Sequence, residues 1–340
     1  MLSTNQIAEL KNLLSQPKRI VITTHKNPDG DAMGSSLGLY HYLIQKGHKV
    51  TVVTPTPYPQ FLYWLPGNNA VVVFPENKAK SKDLAKEAEI IFCLDFNNLD
   101  RLDEFMPIIK NTAALKILID HHLEPDTFPN YSFSEIKASS TCELVYDFIC
   151  LLNDKDLLNK DIAECLYTGI MTDTGSFKFS CTSPHTHLVA AHLMDLGINH
   201  TIIHNNILDT NSLDRLRLLG YSLSEKLKVM PEFHTAYIAL TKLELEKYHY
   251  KTGDTEGFVN YSLSIDNIKV AGLFSEKDNM IKISLRSTGN FSVNDICRKY
   301  FKGGGHQNAA GGMSKLSLNE TLKQFEDILP EYAENIIKLG

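Results

Sequence analysis

The stretch Lys116-Ile117-Leu118-Ile119-Asp120-His121-His122 joins an apolar run directly to three polar side chains. Residues 116–119 are mostly β-favouring, which predicts a buried strand that carries an acid and two imidazoles to a sheet edge. Open α/β sheets place their functional groups at that edge, beyond the carboxyl ends of the strands. The simpler alternative is a surface histidine and an aspartate that begins a turn.

Other candidate elements end in the same way. Residues 19–24 lead into His25, residues 90–94 lead into Asp95, and Asp173 follows a candidate helix, so a metal site becomes the better interpretation. Strands alternate with helices, which indicates an α/β fold whose mostly parallel sheet has helices on both faces. The strands are predicted at 19–25, 49–54, 70–74, 90–95 and 116–120, and the helices at 5–14, 32–46, 101–109, 140–152 and 161–171.

The length of 340 residues exceeds what one hydrophobic core usually organises, so two domains are expected. We predict a catalytic, metal-binding domain over residues 1–185, a helical linker over 186–214 and a smaller α/β domain over 215–340. Within the smaller domain, strands are predicted at 235–240, 270–274 and 280–285, followed by a helix at 293–300 and a glycine-rich segment at 303–312. Two α/β domains that face each other across a cleft are the predicted architecture.

The composition limits the classes of function. With 43% hydrophobic and 22% charged residues, and no run near the roughly 18 apolar residues that span a bilayer, the chain is expected in the cytoplasm. Its six cysteines are scattered, which argues against a disulfide framework or a thiolate zinc site. A formal net charge of −6 disfavours long duplex nucleic acid. Bound divalent ions would reverse that charge locally and admit a short anionic substrate.

The segment from His25 to Asp31 places Asp29 and Asp31 one glycine apart, so a tight turn would point both carboxylates to a common region. A helix that begins near Ala32 adds partial positive charge there. Helix capping would explain one aspartate but would leave the histidine and the other acid unused. Carboxylate and imidazole ligands suit Mn²⁺ best, tolerate Mg²⁺ and admit Fe²⁺, Co²⁺ or Zn²⁺. The acids are too many for one ion, so we predict two divalent ions that activate a hydroxide for in-line attack on a phosphate ester.

Five sequence features occur together and in order. They are H-x-x-x-D-x-D at 25–31, the strand-end Asp95, D-H-H at 120–122, D-T-G-S-F at 173–177 and G-G-G-H-x-x-A-A-G at 303–311. The combination resembles the DHH phosphoesterase superfamily with a C-terminal DHHA1 domain, and the resemblance covers essentially the whole chain. The chain length, the short linker and the phrase at 256–261 most resemble the stand-alone nanoRNase branch of that family.

The resemblance implies six metal ligands, each at a matching motif position. The implied set is His25 and Asp29 on one ion, Asp31, His121 and Asp173 on the other, and Asp95 as a bridge. Asp120 would position an imidazole, a role that suits an acid beside a ligating histidine. His122 would face the substrate phosphate as a hydrogen-bond donor or general acid.

The resemblance assigns the grip on a substrate phosphate to the C-terminal domain. Gly303, Gly304 and Gly305 would let the backbone approach an anion, His306 follows at once, and Arg286 would add a bidentate contact. Taken alone, Arg286 is more typical of a solvated strand-end arginine, and a glycine-rich loop is often only a tight turn.

The resemblance implies hydrolysis of short oligoribonucleotides to mononucleotides and removal of the 3′-phosphate from 3′-phosphoadenosine-5′-phosphate. The expected partners are therefore short single-stranded RNA and 3′,5′-bisphosphate nucleotides, with two divalent ions as cofactors, Mn²⁺ first and Mg²⁺ or Co²⁺ as substitutes. A membrane or a long duplex is not expected as a partner, and a homodimer is left open. The alternative enzyme is a phosphodiesterase for cyclic or linear dinucleotides, and the alternative of another class is a non-catalytic RNA-binding module. Type II inorganic pyrophosphatase shares the N-terminal motifs, but the G-G-G-H loop fits the DHHA1 type instead.

Overall fold

The structure is a computed structural model that describes residues 2–337, and it separates into two compact units, Met1–Thr210 and Asn211–Gly340. The sheet of the N-terminal unit contains β1 (Arg19–Thr24), β2 (Lys49–Thr54), β3 (Val72–Val73), β4 (Ile90–Leu94), β5 (Leu115–Asp120) and β6 (Tyr131–Ser134). The α-helices of this unit are α1 (Thr4–Leu13), α2 (Gly30–Gln45), α3 (Lys78–Glu87), α4 (Met106–Asn111), α5 (Thr141–Leu151), α6 (Lys160–Asp173), α7 (Pro184–Asp195) and α8 (His200–Leu208).

All strands of this sheet are parallel and lie in the order β3-β2-β1-β4-β5-β6. The strand order therefore reverses between β1 and β4, which pair directly from Ile20 with Ile90 to Thr24 with Leu94. In doubly wound sheets, the loops that follow the two strands at such a reversal diverge, and ligands bind there. The residues that come after Thr24 and Leu94 are thus placed where this fold builds its sites.

Helices cover both faces of the sheet. Ile22, Phe92 and Ile117 pack with α2, α5 and α6, whereas Ile91 and Leu118 pack with α3 and α4. Burial on both faces explains why β4 and β5 are continuously apolar instead of alternating. Full burial of a side chain such as Phe92 stabilises the fold by roughly 1.5–3 kcal/mol. The predicted parallel sheet with helices on both faces is confirmed.

The helices α2 and α6 approach each other closely because α2 carries glycine along its contacting face. A Cβ on Gly34 would lie 2.5 Å from the backbone oxygen of Cys165, and a Cβ on Gly38 would lie 2.6 Å from Cδ2 of Leu166. Side chains cannot be accommodated at such distances in a close-packed interior. A Cβ on Gly30, in the first turn of α2, would lie 2.4 Å from Oγ1 of Thr172 in the last turn of α6, so these two turns are also in close contact.

The C-terminal unit contains a second, mixed sheet in the order β11-β12-β10-β9-β8-β7, in which only β8 and β9 are paired in parallel. Its strands are β7 (Leu227–Met230), β8 (Thr235–Leu240), β9 (Val270–Lys277), β10 (Met280–Ser287), β11 (Gly304–Gly305) and β12 (Ala309–Ser314). Its α-helices are α9 (Leu213–Glu225), α10 (Lys242–Lys247), α11 (Phe258–Leu263), α12 (Val293–Tyr300) and α13 (Leu318–Ile337). Residues of α12 and α13 pack on one face of the sheet, and residues of α9, α10 and α11 pack on the other.

Several local features differ from the sequence prediction. The predicted helix at 101–109 is divided into a 3-10 segment, Leu99–Phe105, and α4, because Asp103 has a non-helical backbone with φ of 53°. The predicted strand at 70–74 is reduced to β3, whereas α3, β6 and α13 were not predicted. Helices α7 and α8 occupy much of residues 186–214, and the role of this range as a linker stays a prediction. Among residues 2–337, each helix is either too short or too polar to cross a bilayer.

Candidate metal centre

Three neighbouring strands deliver the polar residues predicted from the sequence to one edge of the N-terminal sheet. His25 follows β1, Asp95 follows β4, and Asp120 ends β5 with His121 and His122 directly after it. All five side chains are buried, with exposed fractions of 7% or less. Asp95 also has a left-handed backbone with φ of 64°, a conformation that costs free energy in a residue with a Cβ. The reversal of strand order therefore gathers these groups where the fold predicts a site.

Asp29 uses its two carboxylate oxygens for different purposes. Its Oδ1 accepts hydrogen bonds from the backbone N–H groups of Asp31 and Ala32 at 3.1 and 3.0 Å, which caps the N-terminus of α2. Its Oδ2 lies 3.7 Å from Nε2 of His25. Helix capping and participation in the polar cluster, which the sequence presented as alternatives, are both realised at this residue.

Asp31 is fully buried and is held by the N-terminus of a helix far away in sequence. Its Oδ2 accepts a hydrogen bond from the backbone N–H of Thr141 at 2.7 Å, and its Oδ1 accepts one from that of Cys142 at 2.8 Å. These are the first amides of α5, where the helix dipole favours a negative charge. The Thr141 hydroxyl also donates to Oδ1 of Asp95 at 3.0 Å. Sequence analysis missed Thr141, although Ser140 before an apolar helical run is a capping signal.

The imidazole of His121 faces three carboxylates at once. Its Nε2 lies 3.3 Å from Oδ2 of Asp173, 3.6 Å from Oδ2 of Asp31 and 3.6 Å from Oδ1 of Asp95. Its Nδ1 lies 3.3 Å from the backbone oxygen of Ala138, which orients the ring so that Nε2 points at the acids. These separations to the carboxylates are longer than ordinary hydrogen bonds, and the atoms converge on a common centre, as ligand atoms do.

Asp95 lies between two groups of candidate ligand atoms. Its Oδ2 lies 3.3 Å from Nε2 of His25, and its Oδ1 lies 3.6 Å from Nε2 of His121. Candidate ligand atoms of His25, Asp29 and Asp95 lie within 4.8 Å of one another, and so do those of Asp31, His121 and Asp173. The structure thus brings together all six residues that the sequence nominated as metal ligands.

Asp120 is paired with His122 and not with His121. Its Oδ1 lies 2.7 Å from Nδ1 of His122, and both side chains are buried. Within residues 2–337, Oδ2 of Asp120 has no hydrogen-bond partner. A buried carboxylate at this distance fixes the tautomer and the ring orientation of the histidine.

The electrostatics of the cluster favour a cation. Burial, together with the charges of Asp95 and Asp173, raises the pKa of Asp31 well above its usual range, and burial raises the pKa of Asp173. Burial would raise the pKa of Asp95 too, but the facing imidazoles of His121 and His25 hold it well below its usual range. Burial would lower the pKa of both histidines, yet the carboxylates around them raise it. Carboxylate oxygens and imidazole nitrogens that crowd a buried region fit hard divalent ions such as Mn²⁺.

The C-terminal unit brings the remaining predicted residues together in its own sheet. Arg286 is opposite Ala309 in the pairing of β10 with β12, and β12 also pairs with the glycine strand β11. A Cβ on Gly303 would lie 1.9 Å from a backbone oxygen of β12, and one on Gly305 would lie 2.5 Å from another. Two of the three glycines are therefore required by chain packing, whereas a Cβ on Gly304 would meet no atom closer than 3.5 Å. His306 follows directly at the turn between β11 and β12.

Comparison with known protein families agrees with this division of the chain. Residues 19–170 match the DHH family, N-terminal domain, and residues 233–338 match the DHHA1 domain. The first match covers the sheet edge with most of the acidic and histidine residues, and the second covers the glycine-rich strand. The family resemblance inferred from the sequence motifs is confirmed.

Relatives resemble the chain over nearly its whole length. The bifunctional oligoribonuclease and PAP phosphatase NrnA of Mycoplasma genitalium is 30% identical, with 97% of this chain and 98% of the relative covered. NrnA of Thermus thermophilus is 29% identical, with 98% and 94% covered. A crystal structure of an exopolyphosphatase-related protein from Bacteroides fragilis is 40% identical, covers 98% of both chains and superimposes with a TM-score of 0.93.

More distant structures share the fold alone. RecJ from Thermus thermophilus, solved in complex with Mn²⁺, is 13% identical and has a TM-score of 0.56, with 97% of this chain and 55% of RecJ covered. The arrangement of acids and imidazoles at the strand reversal, the two matched domains and the full-length relatives lead to one conclusion. The chain belongs to the DHH family, carries a DHHA1 domain, and is similar over nearly its whole length to the bifunctional oligoribonuclease and PAP phosphatase NrnA.

Proposed function

We propose that this phosphoesterase hydrolyses short oligoribonucleotides to mononucleotides and removes the 3′-phosphate from 3′-phosphoadenosine-5′-phosphate. The observation that carries the proposal is a pair of candidate ligand groups at the reversal of strand order, with Asp95 in one group and 3.6 Å from His121 of the other. The names of the full-length NrnA relatives supply the substrate class. The proposed location is the cytoplasm, as expected from the sequence.

The cofactors in this proposal are two divalent ions, Mn²⁺ first and Mg²⁺ or Co²⁺ as substitutes. The proposed ligands are His25, Asp29 and Asp95 for one ion, and Asp31, His121, Asp173 and the shared Asp95 for the other. When bound, two such ions lower the pKa of a water nucleophile and neutralise charge on the phosphate. Support comes from the donor chemistry and the burial of the cluster, and RecJ, which shares the fold, was crystallised with Mn²⁺.

The protein's own residues then bind the phosphate and move a proton. The Asp120 carboxylate accepts the hydrogen bond from Nδ1–H of His122, so Nε2 is the atom with which His122 would donate a proton to the leaving oxygen. The same contact with Asp120 holds the ring of His122 in one orientation. In the C-terminal unit, Arg286 and His306 would bind a phosphate of the nucleotide, with Gly304 leaving room for the ligand.

The proposed partners are short single-stranded RNA and 3′,5′-bisphosphate nucleotides, and a homodimer is compatible with the proposal. Hydrolysis of cyclic or linear dinucleotides is the nearest alternative, because the same ligand groups would serve any accessible phosphodiester. Substrate turnover therefore has to separate the alternatives.

The test is hydrolysis under Mn²⁺, with and without EDTA. The substrates are an RNA dinucleotide, an RNA of a few nucleotides, a long RNA, 3′-phosphoadenosine-5′-phosphate, cyclic di-AMP and pyrophosphate. We expect chelator-sensitive turnover of the short RNAs and the bisphosphate nucleotide, with slow turnover of the long RNA. Turnover confined to cyclic di-AMP or pyrophosphate would assign a different phosphoesterase activity, and no turnover at all would favour a non-catalytic RNA-binding module.

A pair of variants tests the role of the shared carboxylate. Asp95→Asn should lower kcat by about 10³-fold, because it weakens both ligand groups at once. Asp83→Asn, on the exposed surface of α3, removes the same charge outside the cluster and should leave kcat unchanged. Equal activities of the two variants would overturn the assignment of Asp95.

A further inference from the structure

Arg101 lies beside the metal-ligand cluster but belongs to none of the family motifs. It is part of the 3-10 segment Leu99–Phe105, which follows β4 and Asp95 at the same edge of the sheet. Its backbone oxygen accepts a hydrogen bond from the N–H of Lys26 at 2.7 Å. Since Lys26 directly follows His25, this bond fixes Arg101 against the segment that carries the first predicted ligand.

The guanidinium of Arg101 has an unusual environment. The side chain is half-buried, and its Nε is fully buried without a hydrogen-bond partner in the part of the chain that the structure describes. Buried polar nitrogens are nearly always paired, because an unpaired donor costs about 1–3 kcal/mol. An arginine at the margin of several carboxylates would ordinarily form a bidentate pair with one of them. Among residues 2–337, no carboxylate lies within ion-pair distance of Arg101, whereas nearby His25 does face Asp29 and Asp95.

Arg101 is held next to the ligand group that contains His25. Its backbone oxygen is bonded to Lys26, the residue after His25, and within residues 2–337 its buried Nε has no hydrogen-bond partner. A cation in that position attracts any anion that approaches the cluster.

We propose that Arg101 binds a non-bridging oxygen of the substrate phosphate at the margin of the His25, Asp29 and Asp95 group. The ligand class is a phosphomonoester or phosphodiester, and the proposal rests on the proposed phosphoesterase function. The unpaired guanidinium supplies the donors, and its backbone bond to Lys26 holds it beside the ligand group. Its contribution is strongest in the transition state, where negative charge accumulates on those oxygens.

The test compares Arg101→Gln with Arg101→Lys and with Lys82→Gln, which removes one positive charge from an exposed position on α3. With 3′-phosphoadenosine-5′-phosphate and saturating Mn²⁺, kcat/KM of Arg101→Gln should fall about 10²-fold. Arg101→Lys should lose about 10-fold, because lysine keeps the charge but lacks the planar fork. Lys82→Gln should match the wild type. Mn²⁺ affinity from titration calorimetry should stay within about 3-fold in all three variants, because Arg101 acts on the phosphate and not on the ion.

Two outcomes would overturn the proposal for Arg101. One is wild-type kcat/KM in Arg101→Gln, and the other is a loss of Mn²⁺ affinity that parallels the loss of activity, which would indicate a structural role. If the wild type turns over no phosphoester, the proposed function fails separately. Calorimetric binding of inorganic phosphate to the Mn²⁺-loaded protein then decides the point: weaker binding in Arg101→Gln supports the proposal, and equal binding overturns it.

Discussion

Gly169→Ala in α6 is expected to destabilise the N-terminal unit, although alanine is the better helix former. A Cβ at this position would lie 2.2 Å from Sγ of Cys142 and 2.8 Å from Oδ1 of Asp31. Ordinary contacts of a Cβ begin at 3.4 Å, so one of these groups must move by roughly 1 Å. Both neighbours are fully buried, and Asp31 is bonded to two amides of α5, so neither can move without losing other contacts.

The magnitude follows from three contributions. Replacing glycine by alanine inside a helix gains about 1 kcal/mol. Overpacking of a buried site costs about 1–3 kcal/mol, and weakening a hydrogen bond to a buried carboxylate costs about 1.5–3 kcal/mol more. We therefore expect a net destabilisation of roughly 1.5–5 kcal/mol. The matched control is Gly220→Ala in α9, where a Cβ would meet no atom within 4 Å, and a stabilisation of about 0.5–1 kcal/mol is expected there.

The assay is urea unfolding monitored by hydrogen exchange, which reports the free energy of unfolding of each unit separately. The free energy of unfolding should fall in Gly169→Ala and rise in Gly220→Ala, although the substitution is the same. Mn²⁺ affinity should fall in Gly169→Ala, because Asp31 is displaced, and should be unchanged in Gly220→Ala. A Gly169→Ala protein with wild-type stability and wild-type Mn²⁺ affinity would refute the packing argument.

Thr141→Val removes the hydroxyl that donates to Asp95 at 3.0 Å, so Mn²⁺ affinity measured by calorimetry should fall about 10–100-fold, with Thr141→Ser near the wild type. Equal affinities in the valine and serine variants would contradict this. Asp120→Asn removes the carboxylate that orients His122, so kcat at saturating Mn²⁺ should fall at least about 10²-fold while Mn²⁺ affinity changes little. A proportional fall in both quantities would instead make Asp120 part of the ion site. Burial would raise the pKa of Glu244, but its hydrogen bonds lower that pKa from 4.5 to about 2. The ionised carboxylate therefore stabilises the folded state fully above pH 4.5, and this stabilisation is lost as the pH falls toward 2. Glu244→Gln should thus lower the free energy of unfolding by about 1 kcal/mol at pH 7, since solvent screens part of the effect, and the deficit should shrink in urea titrations at pH 3 to 4.

The strand-end residues were predictable because each follows an apolar run directly. His25, Asp95 and Asp120 needed only the rule that parallel strands end at one edge of a sheet. Their burial in the structure agrees with that prediction. The α/β class was predictable because strands and helices alternate plainly in the first half of the chain, and two domains were expected from the length of 340 residues.

The partners of these residues were not predictable from sequence spacing. Asp31 accepts hydrogen bonds from amides 110 and 111 positions away, and such a contact depends on how α5 packs against α2. Asp120 beside His121 and His122 gives no sign of which ring it holds, because the choice is made by side-chain rotamers. Gly303 and Gly305 suggested an anion site, whereas the structure also requires glycine there for pairing with β12, a demand that appears only in three dimensions.

Substitutions at Asp29 and at Asp31 would both remove a candidate metal ligand, but they would affect the fold differently. At Asp29 one oxygen caps α2 and the other faces His25, so serine or asparagine would keep the helix and remove the anionic ligand. At Asp31 the same carboxylate binds α5 and faces His121, so its loss would disturb the packing of two helices as well. An inactive descendant with an intact fold is therefore expected to carry its first substitution at Asp29. Aspartate should be retained at position 31 even after the activity has been lost.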